Sequence, residues 1–358
     1  MLASLGMAGL LGGSATVWGK VGAGAHSRGG HQAPKHRRKR KPHRAGGHHH
    51  RRTRHRTGKR RKAHHAGHRH RRARPHKPTI SGGAPAVVAT ATTPPSGAPG
   101  IGRCSSGPPG GSWTVGGHGY ALAGMDTFTK AAPVGAFATS SGDRVIYTGD
   151  HGMGWTEYPD GASSTYSQGA EGYQPSTVQS VHDGVLDFYL HDDSGGHPVG
   201  ANPSPLPGGS RNQTYGVWSF CERVVAGPGG LADFHQAPLL WPQSDGDWQS
   251  AESDYPEGDL NGAGFSAFAH YGGSGAQDAF DVQSAEPGFD PQQWHVYTQA
   301  WGPGFRSYYV DGRLVGASTQ QVWSSPERWQ LQIEPTGSND GGSGHVYVNW
   351  VWIGTSAG

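Results

Sequence analysis

The residues best suited to do chemistry lie between Asp247 and Asp259, in the run D-W-Q-S-A-E-S-D-Y-P-E-G-D. Three of its carboxylates, Glu252, Asp254 and Glu257, form the pattern E-x-D-x-x-E. Side chains alternate along a strand, so Glu252 and Asp254 share one face. Glu257 is an odd number of positions from Glu252 and would point the other way. One extra residue, a β-bulge, returns it to the same side, and bulges are common beside active sites. Pro256 cannot donate to a ladder and suits that irregularity. Like charges this close cannot all ionise freely, so at least one carboxyl should hold its proton more tightly. A carboxylate nucleophile and a carboxylic proton donor about 5–5.5 Å apart are the pair that cleaves a glycosidic bond by double displacement.

Such a row must be carried by a rigid sheet. From about residue 112 the chain of 358 residues reads as short alternating runs with turn residues between them. Val185 to His191 follows the turn Asp183-Gly184, and Tyr215 to Val225 is a long strand. Trp294 to Trp301 alternates well. Arg306 to Val315 reads as a hairpin around Asp311-Gly312, a type I′ turn signal. Trp329 to Glu334 and His345 to Ile353 complete the set. No stretch carries helical periodicity over a useful length. The 61 glycines and 26 prolines, many of them between the runs, suit an all-β body. The expected fold is two packed antiparallel sheets, a β-sandwich or jelly roll.

Charge divides the chain. Of 30 Lys and Arg, 22 precede residue 80, where there is no Asp or Glu; the remainder carries 8 basic and 26 acidic residues, a formal net charge of −18. The overall +4 thus hides a basic arm joined to an acidic body, and nucleic-acid binding does not follow from the net charge. Residues 1–25 form an apolar or signal-like segment ending in the small-x-small triplet Ala23-Gly24-Ala25, although no basic residue precedes Lys20. Residues 26–79 are rich in Arg, Lys and 13 histidines, cannot bury a core and should be disordered. This arm could hold the protein on an anionic envelope polymer, bind nucleic acid or bind metal. Nucleic acid is disfavoured because no aromatic residues are interleaved for base stacking. Residues 80–111 read as a Pro/Gly/Ala/Thr linker, and 112–358 as the folded domain. No later run has the ~18 apolar residues of a membrane span. Export, to the medium or the cell envelope, is the expected destination, and a monomer the expected state. Cys104 and Cys221 could then form one disulfide, or remain two thiols.

Residues of about 112–356 resemble glycoside hydrolase family 16, in its laminarinase-like, actinobacterial endo-β-glucanase-like branch. The resemblance rests on several stretches in order: Y-Q-P-S-T-V-Q-S-V-H-D-G-V-L-D-F-Y-L-H (173–191), T-Y-G-V-W-S-F (214–220), L-L-W-P (239–242) and E-S-D-Y-P-E-G-D-L (252–260). F-A-H-Y (268–271), W-H-V-Y-T-Q-A-W (294–301), Y-Y-V-D-G (308–312), L-Q-I-E (331–334) and V-N-W-V-W-I (348–353) follow. The resemblance implies a concanavalin A-like jelly roll with a concave sugar-binding face. It implies Glu252 as nucleophile, Asp254 as assisting acid and Glu257 as general acid/base. Glu257 must then hold a proton at working pH, and Glu252 must be ionised to attack. The implied activity is that of a secreted retaining endo-glycosidase acting on a β-linked polysaccharide, β-1,3-glucan-like above others, without a cofactor.

The chain departs from the family where Ala251 and Ser253 flank Glu252, and where Ser219 and Cys221 stand on the Tyr-Gly strand. Those changes motivate an alternative, a catalytically impaired carbohydrate-binding jelly roll attached to the envelope by its arm. Ser253 should point into the inter-sheet core, where its hydroxyl needs a partner. Trp241, Trp248 and Trp294 could stack on sugar rings or fill the core. His270 could assist the acids or serve as a structural hydrogen-bonder. Gln332 and Glu334 share a strand face and could line the cleft or face water. Asp192 and Asp193 could attract structural calcium, but their spacing matches no calcium loop.

Overall fold

The structure, a computed structural model, describes residues 101–164, 172–262, 264–273, 275–336 and 340–357. The chain divides into two units, Met1–Val88 and Ala89–Gly358, and every described residue lies in the second. The expectations for residues 1–25, 26–79 and the first part of the linker therefore fall outside the described residues.

The described body is an antiparallel β-sandwich of jelly-roll type. One sheet runs Ser112–Val115, His118–Asp126, Gly344–Ser356, Gly216–Ala226, His295–Gly302, Phe305–Val310 and Arg313–Ser318. Val185–Asp192 also pairs with the long strand Gly344–Ser356 and continues that sheet through Gln179–His182. The facing sheet runs Ala276–Asp281, Ser266–Tyr271, Ser253–Asp259, Phe234–Pro242, Glu327–Pro335 and Asn212–Gln213. Each strand read from the sequence lies in one of these sheets. The hairpin turns at Asp311 and Gly312, both with positive φ (49° and 78°), as a type I′ turn requires.

The core between the sheets is aromatic. Trp218, Phe220, Tyr255, Tyr297, Tyr308 and Trp329 belong to one buried cluster. A buried ion pair, Arg306 to Glu327, joins the two sheets. Ser253 takes the inward position its alternation predicts. Its hydroxyl lies 2.6 Å from the Tyr308 hydroxyl, accepts from Gln299 Nε2 at 2.5 Å, and donates to the Phe268 carbonyl at 3.2 Å. The polar residue beside Glu252 is thus fully partnered, and it ties the acid strand to the opposite sheet.

A second apolar cluster lies on the outer side of the larger sheet, around Val217, Cys221, Trp350 and Trp352. Residues 101–111, expected within the linker, are fastened there. Cys104 and Cys221 form a disulfide, Trp350 Nε1 donates to Ser106 O, and Trp352 Nε1 donates to Gly110 O. Those indole donors would otherwise be buried without acceptors, so the segment packs rather than hangs free.

Candidate active site

The acid strand is bulged as its spacing demands. Asp254 lies opposite Phe268 and Glu257 opposite Ser266, which puts one extra residue on the acid strand; the same shift appears against Phe234–Pro242. Glu252 itself is not within the strand. It caps a one-turn helix, Trp248–Ala251, and the strand begins at Ser253. Its backbone still joins the sheet, because the His270 N–H donates to the Glu252 carbonyl at 3.0 Å. The periodicity of so short a helix is not visible in sequence.

Ser253 and Tyr255 point into the core, so Glu252, Asp254 and Glu257 occupy the outer face of the smaller sheet. Asp254 is buried, whereas the Glu252 and Glu257 side chains keep 16% and 25% exposure, enough for a ligand to reach them. His270 Nε2 stands 3.5 Å from Asp254 Oδ2 and 4.0 Å from Glu252 Oε2. Burial pushes His270 below its ordinary value, so it is a neutral imidazole at neutral pH. Burial, and then the Asp254 charge, push Glu252 up to about 9. Burial also holds Asp254 well above the usual carboxylate range, with the Glu257 charge adding to it. The expectation that an acid in the row retains its proton is thus met at Glu252 and Asp254. Burial keeps a proton on the Glu252–Asp254 pair at neutral pH. The ligand atoms of Glu252, Asp254 and His270 lie within 4.8 Å of one another, a spacing at which they could also meet one cation.

The other expected site residues divide. Trp248, 39% exposed, stands with its ring edge-on to His270 at 6.2 Å between centroids, beside the acids. Trp241 lies on the acid face by alternation along its strand, with its Nε1 donating to Asp245 at 2.9 Å. Gln332 and Glu334 lie on the same face, joined by a 3.0 Å hydrogen bond from Gln332 Nε2. Asn202 donates to Gln332 Oε1 at 3.1 Å, and Tyr173 OH to Glu334 Oε2 at 3.4 Å. Trp294 is a correction. It packs with Cys104 and Trp113 against the outer cluster of the larger sheet, on the far side of the sandwich from the acids. Its alternating strand is real, but alternation does not say which of two sheets a strand joins. Asp193, weighed for calcium, uses Oδ1 to accept the N–H groups of Gly195 and His197 in its own turn.

Sequence reading missed His235. On the strand beside the acids, its Nδ1 lies 2.7 Å from Asp259 Oδ1 and its Nε2 3.3 Å from Glu257 Oε1. The period-two pattern D-F-H-Q already put a polar ring opposite a buried Phe234. Only the register, His235 against Asp259, brings it to Glu257. Two hollows elsewhere, one near Val224, Leu231 and Phe289 and one near Trp113, Trp294 and Trp350, include none of the acids. The acids sit on the surface of a sheet, not in either of these hollows.

No family model matches the chain, and no curated protein matches it. Among solved structures it is similar to SCLam, a non-specific endo-β-1,3(4)-glucanase from family GH16. That match has 15% identity and a TM-score of 0.50, and covers 68% of this chain and 94% of that one. It is also similar to the endo-β-1,3-glucanase from Pyrococcus furiosus (15% identity, TM-score 0.49, 69% and 98% covered). A third is the laminarinase from Rhodothermus marinus (18% identity, TM-score 0.48, 67% and 98% covered). At 15% identity the likeness to SCLam is one of fold: the described body shares its jelly roll.

Proposed function

We propose that the protein is a family 16 glycoside hydrolase, a secreted retaining endo-glycosidase that cleaves a β-linked polysaccharide, β-1,3-glucan-like above others. The observation that carries this reading is the bulged row of Glu252, Asp254 and Glu257 on one accessible sheet face, with Trp248 at its edge. SCLam, whose fold this chain shares, is an endo-β-1,3(4)-glucanase, and that supports the substrate class.

The chemistry follows from the row. When Asp254, the more buried of the two, holds the proton they share, Glu252 is the carboxylate that attacks the anomeric carbon. Glu257 gives its proton to the departing glycosidic oxygen. Water, deprotonated by Glu257, then attacks the same carbon and releases Glu252, so configuration is retained. Trp248 offers an exposed ring for a sugar to stack on. The Cys104–Cys221 disulfide supports export, since such bonds persist in oxidising compartments. The basic arm, residues 26–79, would then hold the enzyme on an anionic envelope polymer, an attachment that salt should weaken.

The test is reducing-sugar release from laminarin, lichenan, agarose, carrageenan and xylan, with Glu252→Gln and Glu257→Gln beside the wild type. Laminarin should be cleaved, with the β-anomer appearing first by NMR. Both variants should lose at least about 10²-fold in kcat. Undiminished turnover in either variant, or an α-anomer formed first, would overturn the assignment.

A further inference from the structure

His235 lies between two carboxylates, one on each ring nitrogen: Asp259 at 2.7 Å from Nδ1 and Glu257 at 3.3 Å from Nε2. A neutral imidazole has one donor nitrogen and one acceptor, and an ionised carboxylate only accepts. Two ionised carboxylates on the two nitrogens are therefore both satisfied only by an imidazolium, and the imidazolium keeps both bonds when Glu257 carries its proton on the oxygen turned to the substrate. We propose that His235 is a cationic positioning residue, locked by Asp259, that aims Glu257 and supports the negative charge this acid acquires during catalysis. The catalytic consequence rests on the glycosidase reading; the pairing itself does not.

The surroundings favour the cation. Across the neighbouring strand His235 faces Glu334, and along the acid strand it faces Glu257 and Asp259, with Asp254 beyond them. Arg306, on the opposite sheet, is spoken for by Glu327. His270, farther along the same face, is neutral. Burial works against the charge on His235, but hydrogen bonds to Asp259 and Glu257 outweigh it, and the ring is raised to about 9. Asp259 is lowered in turn, chiefly by its bond to His235.

With Oε1 of Glu257 held by Nε2–H, its other oxygen is left for the substrate. In the first step Glu257 passes its proton to the leaving oxygen, which keeps the electron pair of the broken C–O bond, while Glu252 bonds to the anomeric carbon. The carboxylate left on Glu257 faces a fixed positive charge. In the second step it takes a proton from the attacking water. His235 neither gives nor takes a proton in either step.

Two variants test this in the full-length protein. His235→Gln keeps a donor and removes the charge. Asp259→Asn, at a half-exposed position, frees the ring with little risk to folding. On laminarin, kcat/KM should fall about tenfold or more in each, and the alkaline limb of its pH profile should move upward. An acid without a cation beside it keeps its proton to higher pH. On a dinitrophenyl β-laminaribioside, whose leaving group needs little protonation, the loss should stay within about threefold. An unmoved limb with equal losses on both substrates would overturn the proposal, since a merely structural role predicts that result. NMR titration of the His235 ring separates this from failure of the glycosidase reading. The wild-type ring should stay charged to about pH 8 and lose its proton earlier in Asp259→Asn. A wild-type ring already neutral at pH 7 would sink the pairing whatever the activity. A ring that titrates as expected in a protein that cleaves no glycoside would uphold the pairing and remove the glycosidase reading.

Discussion

Glu252 and Asp254 are placed where two carboxylates cannot both be ionised, and that has a consequence for stability. Between the ordinary value of 4.5 and the folded value of about 9, the native Glu252–Asp254 pair holds a proton that the unfolded chain has lost. Stability is therefore greatest at the acid end of this window and falls as pH rises through it. Asp254 acts in the same direction, as do the buried Glu157 and Glu222, each raised to about 8 chiefly by burial. His235, raised from 6.5 to about 9, contributes stability that is full below the lower value and lost through the upper one. The wild-type melting temperature should thus fall from pH 5 to pH 9. Glu252→Gln should flatten the curve and melt higher than wild type at pH 9. Parallel melting curves for the two proteins would show that Glu252 does not titrate in this window.

At the scale of the element, the acid strand works because it is anchored on one side and exposed on the other. Its inward hydroxyl, Ser253, meets Tyr308 and Gln299 of the opposite sheet. Ser253→Ala leaves the buried Gln299 amide without that acceptor, while Tyr308 keeps its 3.1 Å bond to the Phe268 carbonyl. Denaturant unfolding should show a loss of about 1–3 kcal/mol, the cost of one unsatisfied buried polar group. Any effect on turnover should follow from looser placement of Glu252 and Asp254, without a moved pH profile. The bulge could be expected from the spacing E-x-D-x-x-E and a proline. The helical turn that presents Glu252 could not, because four residues carry no periodicity to detect.

Over the whole molecule, the start of the described body is fastened to the outer side of the larger sheet. Cys104 and Cys221, 117 positions apart, close a long stretch of the domain into one loop. Changing both to serine, or reducing the bond, should lower stability by roughly 2–5 kcal/mol, read as a lower melting temperature. The acid row lies on the smaller sheet, across the core from that fastening, so laminarin cleavage below the new transition should persist. Equal melting with and without the bond would show that the aromatic packing of residues 101–111 holds the segment alone.

The sequence by itself determined the all-β class, the strand runs, the hairpin at Asp311-Gly312, the inward Ser253 and the three acids on one face. Each of these follows from local alternation, turn chemistry or spacing, which act over a few residues. Tertiary structure decided the rest. Which sheet a strand joins is set by long-range pairing, so Trp294 goes to the far side from the acids. Register set His235 against Asp259 and thereby against Glu257, a contact between residues 22 positions apart. Burial, which depends on every neighbour at once, decided that the retained proton belongs to the Glu252–Asp254 pair.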